Sequence, residues 1–123
     1  MFTTLIVEDN PLFSAALHAA LHSRFPSLTL ATAASVKEAL AQIDALRPDL
    51  IFMDVVLPDG NGLALVERIR ADGNRSVVIV LTSHDLPEYR ELAFRSGADH
   101  FIGKGSIDLG HLFGLVESIA TSG

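Results

Sequence analysis

The sequence contains no cysteine and no tryptophan, and has a single tyrosine and five prolines among its 123 residues. Without cysteine there is no disulfide and no thiol catalysis, a composition compatible with a reducing cytoplasm. Positive charge is also scarce: nine Lys and Arg stand against fifteen Asp and Glu, leaving a formal net charge of -6. Phosphate backbones are held by clustered Lys and Arg, so no direct nucleic-acid binding by this domain is expected, and basic partners suit it better. Long apolar runs are missing too. The run Val77 to Leu81 is far too short to cross a bilayer, and the first residues lack the basic, apolar and cleavage regions of a signal peptide. A cytoplasmic location without membrane association is the expectation. Internal repeats, low-complexity segments and linkers are absent, and 123 residues fit one domain with one core.

What is present is 49% hydrophobic and 20% charged residues, the balance of a globular domain. Short apolar runs alternate with helical patterns, the mark of βαβ units that build a parallel sheet covered on both faces. Five strands are expected at Thr4 to Val7, Leu28 to Thr32, Leu50 to Met53, Val77 to Leu81 and His100 to Ile102. Asn10-Pro11 reads as an N-cap followed by proline at the first helical position, opening a helix to about Arg24. Its expected apolar stripe is Leu12, Phe13, Ala16, Leu17, Ala20 and Leu21, with Ser14, His18 and His22 on the opposite side. Ser35 to Glu38 reads as a capping box for a second helix that stops before Pro48. Gly60-Asn61-Gly62 opens a third helix running to about Arg70. Asp85 to Glu88 has the same box spacing and opens a fourth, ended by Gly97. The fifth starts near Ile107 and carries Gly110 and Gly114, which should make it the least stable.

In an open parallel sheet, ligands bind beyond the carboxyl ends of the strands, so the residues just after each apolar run are the informative ones. Here they are Glu8 and Asp9, Asp54, Thr82 and Lys104. If the strands are adjacent, these residues converge. Three carboxylates repel unless they share a proton or a cation, and an all-oxygen site suits Mg2+, which keeps waters and a phosphate oxygen as its remaining ligands. Asp54 can then attack phosphorus to form an aspartyl phosphate. Lys104 offers a charge to one phosphoryl oxygen, and the Thr82 hydroxyl offers a hydrogen bond to another.

The segments Val7-Glu8-Asp9-Asn10, Met53-Asp54-Val55-Val56-Leu57-Pro58-Asp59-Gly60-Asn61-Gly62, Leu81-Thr82-Ser83 and Gly103-Lys104 resemble the response-regulator receiver family, within the CheY-like superfamily. The resemblance covers residues 1–123, and the stretch from His84 to Ser106 is closest in texture to the NarL/LuxR-type class. It implies a flavodoxin-like α/β fold, a three-layer α/β/α sandwich whose five-stranded parallel sheet has the order 2-1-3-4-5. It implies that a histidine kinase or phosphotransfer protein donates a phosphoryl group to Asp54. Glu8 and Asp9 match the acidic pair at the magnesium site, and the Val56 carbonyl matches a further metal ligand. Thr82 matches the switch hydroxyl, Lys104 the phosphate-binding lysine, and Phe101 the aromatic switch, expected to move inward on phosphorylation. The face of helix four, strand five and helix five would carry the shape change to an output domain or a homodimer partner. Such a domain is not an enzyme beyond its own phosphorylation and slow autodephosphorylation.

One departure stands out: Gly105 occupies the place where receivers commonly have proline, so that loop should sample more conformations. Two rival functions fit the residues less well. A phosphohydrolase that also uses an aspartyl phosphate and magnesium would want a second acid two residues after Asp54, where Val56 stands. A flavin-binding module would find its phosphate repelled by Glu8 and Asp9. His18 and His22 have the spacing of a zinc pair, but no Glu follows His18, and solvent exposure is the better account. No GxxxxGK[ST] loop is present, so a nucleotide P-loop has no support.

Overall fold

The structure is a computed structural model that describes residues 2–122. The chain alternates β1 (Thr3–Val7), α1 (Pro11–Arg24), β2 (Thr29–Ala33), α2 (Val36–Leu46), β3 (Leu50–Met53), α3 (Gly62–Ala71), β4 (Val77–Thr82), α4 (Pro87–Ser96), β5 (His100–Gly103) and α5 (Leu109–Thr121). All five strands run parallel in the order β2-β1-β3-β4-β5, the order the resemblance implies.

Successive strand residues point to opposite faces, which divides the core in two. Leu5, Val7, Ile51, Met53, Val78 and Val80 pack under Ala39 and Ile43 of α2, Leu63 and Val66 of α3 and Ala93 of α4. Ile6, Phe52, Ile79 and Leu81 pack under Leu17 and Leu21 of α1 and Leu112 and Val116 of α5. With both faces covered, β3 has every residue buried, which is why its sequence is continuously apolar. The result is a three-layer α/β/α sandwich. Among the described residues no helix is long and apolar enough to cross a membrane.

Helix starts follow local chemistry. The Asn10 side chain accepts from the N–H groups of Leu12 and Phe13, and Ser35 accepts from Glu38 N–H. Asn61 caps α3 through Leu63 and Ala64, and Asp108 caps α5 through His111. The cap expected at Asp85 does not form: Leu86 holds the N-cap position of α4 with no side-chain hydrogen bond. Asp85 instead lies against Gly103, where a Cβ would run into its carboxylate.

The α1 stripe also differs from expectation. Leu12 is 82% exposed and Ser14 is buried. Leu12 points to solvent, while Ser14 faces a cleft it shares with Glu8, Ala33 and Glu38. Between β3 and α3 the chain forms a short antiparallel ladder, Val56 with Asn61 and Leu57 with Gly60, that the sequence did not announce. At the opposite end, the Arg70 guanidinium donates to the carbonyls of Asn74, Ser76 and Gly97 and to the Asp99 carboxylate. It thereby ties the end of α3 to the end of α4.

Candidate functional site

Glu8 and Asp9 leave the carboxyl end of β1, and Asp54 leaves that of the neighbouring β3. Backbone bonding carries the sheet one residue further on each: Glu8 N–H donates to Ala33 O at 2.9 Å and Asp54 N–H to Val7 O at 3.0 Å. This extra rung fixes the bases of Glu8 and Asp54 beside one another. One carboxylate oxygen from each of Glu8, Asp9 and Asp54 lies within 4.8 Å of the others. Glu8 and Asp54 are 4% and 8% exposed, whereas Asp9 is open to solvent.

Lys104, the first residue after β5, reaches this group. Its ammonium donates to Glu8 Oε1 and, at 3.3 Å, to Asp54 Oδ2. Burial works to lower the Lys104 pKa, but the Glu8 and Asp54 carboxylates outweigh it and hold the ammonium above its usual value. Asp54 Oδ1 accepts the Val55 N–H at 2.8 Å. One ammonium facing three carboxylates leaves an excess of negative charge in a partly buried, all-oxygen cluster. That donor set fits a hard divalent cation such as Mg2+. Among the described residues it is the only group of three or more that could hold a metal.

Thr82 ends β4 and is fully buried; its hydroxyl oxygen accepts the His84 N–H at 3.0 Å, which leaves its own proton free to be donated. Val56, two residues past Asp54, is 51% exposed and apolar, so no second acid occupies the place that a phosphohydrolase would require. Phe101 is already inward, 6% exposed in the core shared by α3 and α4, with the Arg90 guanidinium over its ring at 5.7 Å. The ring belongs to the same cluster as Ala93 and Tyr89 of α4. His22 is exposed as expected, but His18 is half-buried in the cleft beside Glu8 and Asp9, its ring stacked on that of His22 at 6.4 Å. Gly105 lies in a single 3-10 turn, 104–106, with open space where a Cβ would stand.

Three residues support the site through contacts that the sequence alone does not show. Asn10 N–H donates to Glu8 Oε2 at 3.0 Å, so the residue that caps α1 also orients the buried acid. The Asp59 carboxylate accepts from the N–H groups of Val36 at 2.7 Å and Lys37 at 3.0 Å, binding the loop after Asp54 to the start of α2. Those two bonds, Val36 first, hold its pKa below the ordinary value. Gly62 packs directly on the Asp54 backbone carbonyl. The Gly62 position carried a visible signal as a helix-opening glycine; the Asp59 contact spans more than twenty residues and carried none.

A family model described as the response regulator receiver domain matches residues 4–117. The probable transcriptional regulatory protein TcrX of Mycobacterium tuberculosis is 31% identical over 102 residues, which are 83% of this chain and 43% of that protein. The chain thus spans less than half the length of this curated relative. A solved two-component response regulator from Clostridium difficile superposes with a TM-score of 0.91 at 24% identity, covering 99% of this chain and 98% of that one, a likeness of fold. A LuxR-family response regulator from Aurantimonas sp. SI85-9A1 gives 0.84 at 27% identity, covering 95% of this chain and 83% of that one.

Proposed function

Because the chain belongs to the response-regulator receiver family, we propose that it is a signalling switch phosphorylated on Asp54, with Mg2+ held by Glu8, Asp9, Asp54 and the Val56 carbonyl. The observation that carries this reading is the buried Asp54 carboxylate, clustered with two other acids and 3.3 Å from the Lys104 ammonium.

Asp54 acts as an ionised carboxylate, so it needs no base. A carboxylate oxygen forms a bond to phosphorus while the bond from phosphorus to the donor's imidazole nitrogen breaks. The electron pair of that bond leaves with the imidazole, which takes a proton from solvent. When bound, Mg2+ supplies positive charge against the phosphoryl oxygens. Lys104 neutralises one of those oxygens, and the Thr82 hydroxyl donates to another. Burial of Glu8 and Asp54 keeps these groups in fixed positions, which matters because phosphoryl transfer depends chiefly on positioning and charge.

The donor is a histidine kinase or a phosphotransfer protein, and the chain is a phosphoacceptor, not a turnover enzyme. The Thr82-centred loop leading to α4 passes the event to the α4, β5 and α5 face, where an output domain or a second copy reads it. A helix-turn-helix output fits the LuxR-type likeness.

Incubation with Mg2+ and acetyl phosphate, followed by intact-mass measurement, tests the assignment. Wild type gains one phosphoryl group, and Asp54→Asn gains none. Undiminished labelling of Asp54→Asn would overturn it.

A further inference from the structure

We propose that Phe13 is a positioning residue for Lys104, its ring forming the wall that holds the ammonium ready for an incoming phosphoryl oxygen. The inference rests on the phosphoacceptor reading above. The Lys104 Nζ sits 4.5 Å from the centroid of the Phe13 ring, within reach of a cation–π contact. The contact closes a circuit. Lys104 donates to Glu8, Glu8 accepts the Asn10 N–H, Asn10 accepts the Phe13 N–H, and the Phe13 ring faces Lys104 again. The first turn of α1 is thus folded around the lysine.

A ring suits this place better than another polar group. An ammonium has three N–H donors. Glu8 and Asp54 take two, and the third must remain free for the phosphoryl group. A π face attracts the cation without consuming a donor. The ring is also well anchored: Phe13 is half-buried and packs against the core that contains Leu17, Phe52 and Leu81. The space it encloses with Glu8, Phe52 and Asp54 has no room for a water molecule, so the ring packs tightly beside the two acids that Lys104 bonds. The backbone gives the lysine less restraint, because Gly105 follows it in an open turn.

The experiment compares wild type, Phe13→Leu and Phe13→Tyr for phosphorylation rate with acetyl phosphate and for Mg2+ affinity by calorimetry. Phe13→Leu keeps an apolar group but loses the ring, and its phosphorylation should slow by about fivefold or more, in line with loss of a cation–π contact. Its Mg2+ affinity should be unchanged, and Phe13→Tyr should restore the rate. Phe13→Met replaces Phe13→Leu if the latter does not give a cooperative unfolding transition. An undiminished rate in the ringless variant overturns the proposal. So does a parallel loss of Mg2+ affinity, or failure of Phe13→Tyr to recover the rate, since either marks general disruption of packing. An unlabelled wild type instead overturns the phosphoacceptor reading, and this inference with it.

Discussion

At position 62 there is no room for a methyl group. A Cβ would fall well inside contact distance of the Asp54 carbonyl oxygen, 2.9 Å from its carbonyl carbon and 3.1 Å from Met53 Cγ. The nearest obstacle is backbone, which cannot rotate aside, so Gly62→Ala must push Asp54 or the start of α3 out of place. Overpacking of this kind costs about 1–3 kcal/mol. Urea denaturation should show that loss, and the folded fraction should phosphorylate more slowly than wild type; an unaltered rate would mean that Asp54 tolerates the shift. At the residue scale, the clustering of Glu8, Asp9, Asp54 and Lys104 was legible because each lies just beyond an apolar run, at the carboxyl edge of the sheet. Leu12 and Ser14 were not, because helical periodicity alone does not fix how the first turn meets the neighbouring acid loop.

The loop between β3 and α3 behaves as an element in its own right, clamped at one side by the Asp59 bonds to the start of α2. A carboxyl group whose pKa is lower when folded stabilises the fold above its unfolded value of about 3.9 and loses that contribution as pH falls through the folded value. Asp59→Ala should therefore lower the urea midpoint at neutral pH, and the gap from wild type should close in acid below about pH 3.9. A gap independent of pH would rule out the carboxylate as its source. Within α5, Gly114 has open space at its Cβ position and lies in a helix interior. Gly114→Ala should stabilise the protein by about 0.5–1 kcal/mol, read from denaturant unfolding; destabilisation would show that this exposed face is in contact with something. The helices capped by Asn10 and Ser35 were legible because cap and capped residue lie three apart. The box at Asp85 has equally good spacing, yet tertiary contact with β5 takes that side chain elsewhere.

For the whole molecule, three of the fifteen acids cluster at one point with Lys104 as the cation bonded to them, so metal binding and folding are linked. A cation that binds only the folded chain stabilises it by about 2.7 kcal/mol at roughly one hundred times its Kd. Scanning calorimetry should show Tm rising with Mg2+ by on the order of 10 °C at that level. Asp9→Ala, which removes an exposed ligand without breaking the Lys104 pairing, should need at least about tenfold more Mg2+ for the same rise. An identical Mg2+ dependence in the variant would exclude Asp9 from the site. The alternation of strands and helices was readable along the chain, but strand order depends on pairings between distant segments and came only through family resemblance. The Arg70 cluster has a mechanical consequence. It pins the last carbonyl region of α4 at Gly97 with a hydrogen bond, whereas at the other end Leu86 makes no side-chain cap bond and the first turn is held by the apolar packing of Tyr89. The helix is therefore a lever with its fulcrum at the end remote from the acids. Ten residues make an arm of about 15 Å, so a tilt of about 10° carries the free end roughly 2.5 Å, while the pivot hardly moves.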